Sequence, residues 1–312
     1  MAPVAAAVAY LQDRRSGNGR FRQLRIVCLV FSIVLIDFVS YFIVLGVWLQ
    51  GPFGRNRTSP RIQHKYQASM TWYTAKLTAA IAKFAPLPID TSELDEDLLD
   101  GNAIVIGRHR SVFDALLPST ILGPRGLLTL YTMKEDLQWD PNLDIVGHRM
   151  GHVFVNRRSK DLESELEPIR ALAARVDKDS VGVIFPEGTF FNATRLERAV
   201  NAISRRDPAR TELAKRFRHL LPPRPAGTLA MLEAAPDADV IMLGHVGVEP
   251  FGSIPEILEN LGDQRHRLRV KAWRFARSSI PIDPDAQIQW LFERWLEMDE
   301  WIASHHPLPF ST

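Results

Sequence analysis

The chain has 312 residues, 46% of them hydrophobic and 24% charged, a globular balance with enough length to bury a core without disulfides or a structural metal. Thirty-eight Lys and Arg against 36 Asp and Glu leave a formal charge of +2, too near neutral to argue for a nucleic-acid partner. A single cysteine, Cys28, excludes an intramolecular disulfide framework and a cysteine metal cluster, and fits a reducing compartment.

Arg14, Arg15, Arg20, Arg22 and Arg25 make residues 1–25 a basic segment. An almost purely apolar run follows over 26–49, long enough as a helix to cross ~30 Å of hydrocarbon. It is too long for a signal-peptide core, and no small-residue cleavage site follows it. The run predicts a membrane-embedded helix. A buried or an interfacial helix is the alternative, because the Asp37 carboxylate near its middle is costly in lipid. Arg55, Arg57, Arg61 and Lys65 make the far flank basic as well, so orientation stays open, and a re-entrant or surface-lying helix fits equally. Residues 66–88 read as an amphipathic helix. Met70, Trp72, Tyr73, Leu77, Ile81 and Phe84 recur at helical spacing, and Pro86 and Pro88 close it.

From residue 89 to 312 the pattern changes. β-type runs at 103–106, 127–131, 153–155, 181–185 and 240–243 alternate with helical stretches at 159–176, 199–219 and 226–235. That alternation predicts an α/β domain with a mostly parallel central sheet flanked by helices. The stretch 198–224 carries eight Lys and Arg against Asp207 and Glu212, and reads either as a solvated helix or as a patch facing phosphate or lipid head groups.

Familiar phosphate-loop, dinucleotide and nucleophile-elbow signatures are missing. His148 and His152 have the spacing of two imidazoles on one helix face, but Gly147 and Gly151 interrupt that helix and no metal is assigned. The sharper constellation is Arg108-His109-Arg110-Ser111-Val112-Phe113-Asp114, directly after a β-run. A carboxylate can fix the tautomer of a nearby imidazole and leave its other nitrogen to accept a proton. Alone, such a pair is more often structural. A second strand end carries Phe185-Pro186-Glu187-Gly188-Thr189, and a third, Gly151 to Arg158, ends in two guanidinium groups. Together they describe a site for a polar, anionic acceptor.

Those blocks resemble the glycerolipid acyltransferase family, of the 1-acylglycerol-3-phosphate type. His109 through Asp114 resembles its first block, Gly151 through Arg157 its second, and Phe185 through Thr189 its third, with Lys134-Glu135 also family-like. The basic insertion ending Pro222-Pro223-Arg224-Pro225-Ala226-Gly227, and the tail from Trp290 to Glu300, resemble the lysophosphatidate and lysocardiolipin branch. Asn156 stands where the second block usually has Asp. Phe190 stands where many members have an arginine for the acceptor phosphate, and Arg157, Arg158 and Arg195 are candidates to replace it.

The resemblance makes 89–312 an acyltransferase domain. It implies transfer from acyl-CoA or acyl carrier protein to the hydroxyl of a lysophospholipid, with no cofactor and no metal. His109 would be the base and Asp114 its orienting carboxylate, with Arg157, Glu187, Gly188 and Thr189 at the acceptor. Backbone N–H groups near Gly188 would help the oxyanion. The membrane supplies the acceptor, and the catalytic domain is expected on the cytoplasmic side, where acyl thioesters are made. The alternatives are a catalytically silent membrane-bound adaptor on the same fold, and a lipid hydrolase.

Overall fold

The computed structural model describes residues 22–50, 59–84, 88–111, 113–156, 161–249 and 267–305. Two long helices come first, α1 (Arg22–Gln50) and α2 (Pro60–Phe84). The part of α1 from Leu24 to Gln50 is long and apolar enough to cross a membrane. Helix α2 starts at Pro60, earlier than the expected residue 66, because Pro fits a helix's first turn and Ile62 and Tyr66 bury on the same stripe. The two helices pack along each other. Leu29 of α1 meets Ala80 of α2 toward one end, and Val44 and Val47 meet Ile62 and Tyr66 toward the other. Tyr73 Oη donates to Asp37 Oδ1 at 2.8 Å, so the carboxylate that interrupts the apolar run is paired within the helix pair. Val27, Val30, Phe31, Val34, Phe38 and Phe42 remain exposed along α1.

The domain behind them is a seven-stranded sheet in the order β1-β7-β6-β2-β5-β3-β4. Its strands are β1 (Ile89–Glu93), β2 (Ala103–Gly107), β3 (Leu128–Lys134), β4 (Val153–Val155), β5 (Ser180–Ile184), β6 (Asp239–Val246) and β7 (Leu268–Phe275). Every neighbouring pair is parallel except β6 with β7. The helices that follow α2 are α3 (Leu117–Leu122), α4 (Pro141–Met150), α5 (Leu162–Ala173), α6 (Ala193–Arg206), α7 (Thr211–Ala214), α8 (Pro225–Ala234) and α9 (Pro284–His305).

Strands β2 and β5 are buried throughout, as continuous apolar runs in a parallel sheet should be. Their alternation divides the core in two. Ile104 and Ile106 face Leu172, Met231 and Trp295 under α5, α8 and α9, whereas Ala103 and Val105 face Leu117, Leu122 and Leu268. The expected helix at 199–219 is instead two helices. Asn192 caps α6 by accepting from Arg195 N–H at 2.8 Å, and Asp207-Pro208 breaks the chain before α7. Strands β1 and β7 and helix α9 were not expected from the sequence. In β7, Arg269 and Lys271 alternate with the buried Leu268, Val270 and Ala272, but Arg274 falls in phase with the buried positions and breaks the pattern.

Candidate active site

The register Ile106↔Ile184 and Ile106↔Met242 brings the carboxyl ends of β5 and β6 to either side of β2. Side chains after all three strands therefore converge at one sheet edge, where parallel α/β sheets place ligands. Gly107 ends β2 because a Cβ there would lie 2.6 Å from the Phe185 ring. That ring in turn sits 4.9 Å from the His109 imidazole, and Phe190 closes on it at 4.4 Å. His109 is thus held between two aromatic rings, with its side chain 17% exposed.

Asp114 lies beneath it, fully buried, on the short turn after the strand. Its carboxylate accepts from Ser111 N–H at 2.7 Å, from the Ser111 hydroxyl and from Arg110 N–H. His109 Nδ1 faces Asp114 Oδ2 at 3.9 Å, an ion-pair separation longer than a hydrogen bond. Burial works to raise the Asp114 pKa, yet His245, Ser111 and His109 hold it at about 2, so the group stays an anion. A Nδ1–H directed at that anion leaves Nε2 of His109 to accept a proton.

Glu187 is also buried, and both of its oxygens serve the fold. Oε1 accepts from His109 N–H at 2.7 Å and Oε2 from Leu221 N–H at 2.9 Å. Burial pushes its carboxyl up to about 8 against the pull of those donors and of Arg108. Gly188 takes φ +69°, a left-handed conformation suited to glycine, and a Cβ there would meet the Arg224 guanidinium at 3.3 Å. The Gly188 N–H donates to Phe185 O at 3.1 Å, so it closes the turn instead of pointing at an oxyanion. Thr189 follows, half-buried. Arg157 and Arg158 lie outside the described residues. Asn156 ends near β4, at the sheet's edge, and its N–H donates to Glu165 Oε2 at 2.7 Å. Arg195 donates to Phe190 O at 2.8 Å, which ties it to the third block.

His148 and His152 do not share a helix face, because α4 stops at Met150. His152 is buried and its Nδ1 accepts from Tyr131 N–H at 3.2 Å, with burial lowering its pKa to about 3. His148 is exposed and faces Asp144 at 3.2 Å.

Two residues near the site, His245 and Glu249, escaped the sequence reading, and Arg108 had no role assigned within its block. Arg108 Nη1 donates to Glu249 Oε1 at 2.7 Å and to the His245 carbonyl, and His245 Nε2 lies 3.5 Å from Asp114 Oδ2. The available signal was the segment His245-Val246-Gly247-Val248-Glu249, which runs off the strand beside β2. Burial works to raise the Glu249 pKa, but Arg108 holds it at about 2. A carboxylate whose folded pKa lies below its unfolded value stabilises the fold above the unfolded value and loses that contribution as pH falls. Glu249 should therefore contribute about 2–4 kcal/mol above pH ~4.5, lost as pH approaches ~2. Thermal unfolding measured from pH 6 to 2.5 should show a shallower acid slope in Glu249→Gln than in the wild type. Equal slopes would place the acid sensitivity elsewhere.

A buried acid beside a semi-exposed imidazole, at the carboxyl edge of a mostly parallel sheet, belongs to the class of α/β sites chemically able to move a proton. Comparison with known proteins narrows that class. Residues 89–224 match the Acyltransferase family model. The chain is 25% identical over 218 residues to mouse 1-acyl-sn-glycerol-3-phosphate acyltransferase epsilon, covering 67% of this chain and 59% of that protein. It is 26% identical over 256 residues to an uncharacterized acyltransferase of Schizosaccharomyces pombe, covering 72% of this chain and 70% of that one. The fold matches the crystal structure of the 1-acyl-sn-glycerophosphate (LPA) acyltransferase PlsC from Thermotoga maritima, with TM-score 0.59 and 13% identity over 92% of this chain and 99% of that chain. Residues 89–224 are thus the part of the chain similar to acyltransferases, and the solved structure shares its fold.

Proposed function

We propose that the protein transfers a fatty acyl group from a thioester, acyl-CoA or acyl carrier protein, to the free hydroxyl of a lysophospholipid of the 1-acylglycerol-3-phosphate type. The observation that carries this reading is the His109 imidazole, open on one side and backed by the buried Asp114 anion. His109 Nε2 takes the hydroxyl proton as the lipid oxygen attacks the thioester carbonyl, and the thiolate of the donor leaves. Asp114 holds the ring and stabilises the imidazolium that forms, without itself taking the proton. Glu187 fixes the backbone of the base, through its bond to His109 N–H. Arg157 and Thr189 remain the acceptor-binding residues on this reading. Arg224 joins them, because its guanidinium lies beside Gly188 and can meet a phosphate where Phe190 cannot.

The apolar α1 face keeps the domain at a bilayer, so the acceptor need not leave the membrane fully. Deletion of residues 1–50 should shift the protein out of the membrane fraction, with α2 retaining part of the binding through its own apolar stripe. Full recovery of the truncated protein with membranes would remove α1 from that role. Protease access in sealed vesicles of known orientation tests the cytoplasmic placement, which digestion only from the opposite face would reject.

The direct test of function incubates the full-length protein with radiolabelled acyl-CoA and acyl carrier protein, each with a panel of lysophospholipids. Label in a diacyl product supports the proposal. Free fatty acid as the only product would identify a hydrolase, and no turnover with any pair would identify an adaptor.

A further inference from the structure

Asp114 faces two imidazoles, and both approach the same oxygen. Nδ1 of His109 stands 3.9 Å from Oδ2 and Nε2 of His245 stands 3.5 Å from it. The two rings differ in access. His109 is partly open, whereas the His245 side chain is 1% exposed and cannot touch a substrate. Strand β6 presents His245 from beside β2, and its main-chain carbonyl is gripped by Arg108. Neither ring nitrogen of His245 has a hydrogen bond of ordinary length among the described residues. An apolar side chain would fill this position without the cost of burying an imidazole. The polar group that its Nε2 faces is the carboxylate of the catalytic pair.

We propose that His245 is a positioning residue that shares Asp114 with His109 and so limits how strongly the carboxylate favours the protonated form of the base. The inference rests on the role given to His109 above. An anion beside an imidazole stabilises its charged form. When a second N–H draws on the same Oδ2, less of that field reaches His109, and the ring stays neutral and able to accept a proton near pH 7. Oδ1 accepts from the Ser111 N–H and hydroxyl, and Oδ2 takes the Arg110 and Ser111 N–H groups as well as facing both imidazoles. The other charged groups around the pair are Arg108 and Arg110 from the β2 loop, Glu187 from the β5 loop and Glu249 beyond β6. Of these, Glu249 also feels His245, so the comparison of leucine with glutamine at 245 has to carry the test.

The test follows the His109 imidazole by NMR in the full-length protein, in wild type, His245→Leu and His245→Gln. Leucine fills the volume and removes the donor, whereas the glutamine amide can still donate to Asp114. His245→Leu should raise the His109 titration midpoint by about one unit, and His245→Gln should leave it near the wild-type value. An unchanged midpoint in His245→Leu, or equal shifts in both variants, overturns the proposal. If His245→Leu does not fold, Asp114→Asn decides instead. Loss of the shared anion should move the ring 15N signals of both histidines, and movement of the His109 signals alone overturns it. None of these readings needs a substrate, so a protein that transfers no acyl group would reject the proposed function and leave this inference standing or falling on the titration. In an active protein, the acid limb of kcat/KM should move to higher pH in His245→Leu and not in His245→Gln.

Discussion

His109→Ala is expected to lose acyl transfer by 10²–10⁴-fold, the usual span for removing a general base. The loss should fall on kcat, with the KM for the thioester donor little changed, because the imidazole acts on the acceptor's proton. The variant should stay folded. The contact that ties this position to the fold is its backbone N–H on Glu187, which alanine keeps. Phe185 and Phe190 lose a ring neighbour, but one edge of that ring already faces solvent. Steady-state turnover beside a thermal melt checks both halves of the expectation. Near wild-type turnover would dismiss His109 as the base, and an unfolded variant would show that the ring is needed for packing.

Glu187→Leu is expected to have the largest effect on stability. It leaves the N–H groups of His109 and Leu221 buried without their acceptors, at about 1–3 kcal/mol each. The opposing contribution is the burial of the carboxyl itself, which raises its folded pKa from 4.5 to about 8. The sign is the reverse of that for Glu249. A folded state that holds the proton more tightly than the unfolded one loses stability as pH rises from the unfolded value to the folded one. Wild-type stability from this group therefore falls between pH ~4.5 and ~8, and the deficit of Glu187→Leu should shrink over the same range. Denaturant unfolding at pH 5 and pH 8 measures both deficits. A leucine variant as stable as the wild type at pH 5, or a deficit that grows with pH, would contradict the assignment.

The parts of the fold legible in the sequence were those with one dominant physical signal. Ala103-Ile104-Val105-Ile106 and the run before Phe185 are apolar on both faces, which only a central strand covered on both sides requires. Strand β7 was hidden by its own chemistry. Arg274 donates to Asp239 at 2.8 Å and to the carbonyl of Asp100 at 3.0 Å, so its charge serves a sheet that local pattern cannot show. In the site, the spacing of His109 and Asp114 made them legible as a pair, but their roles came from the resemblance of the blocks and not from the spacing. His245 was not legible. Its place beside Asp114 follows from β6 lying next to β2 in the sheet, a neighbourhood decided by topology and not by spacing. Glu187 was legible as a site residue, but not the direction of its oxygens. That depends on Leu221, a position from a different part of the chain.

The Glu187 contact does not end at Leu221. The Leu221 carbonyl accepts from Trp295 Nε1–H at 3.0 Å, and Asp299 one turn further along α9 accepts the N–H groups of Arg218 and His219. The backbone of the candidate base is therefore linked through Glu187 and Leu221 to the last described helix. During synthesis the apolar α1 leaves the ribosome before the sheet and α9. The loop around His109 gains its final support only when α9 has been translated and docks, a long-range closure that is slow by nature. On the proposed function, a nascent chain stalled ahead of α9 would carry its apolar helix but lack the support of the His109 loop.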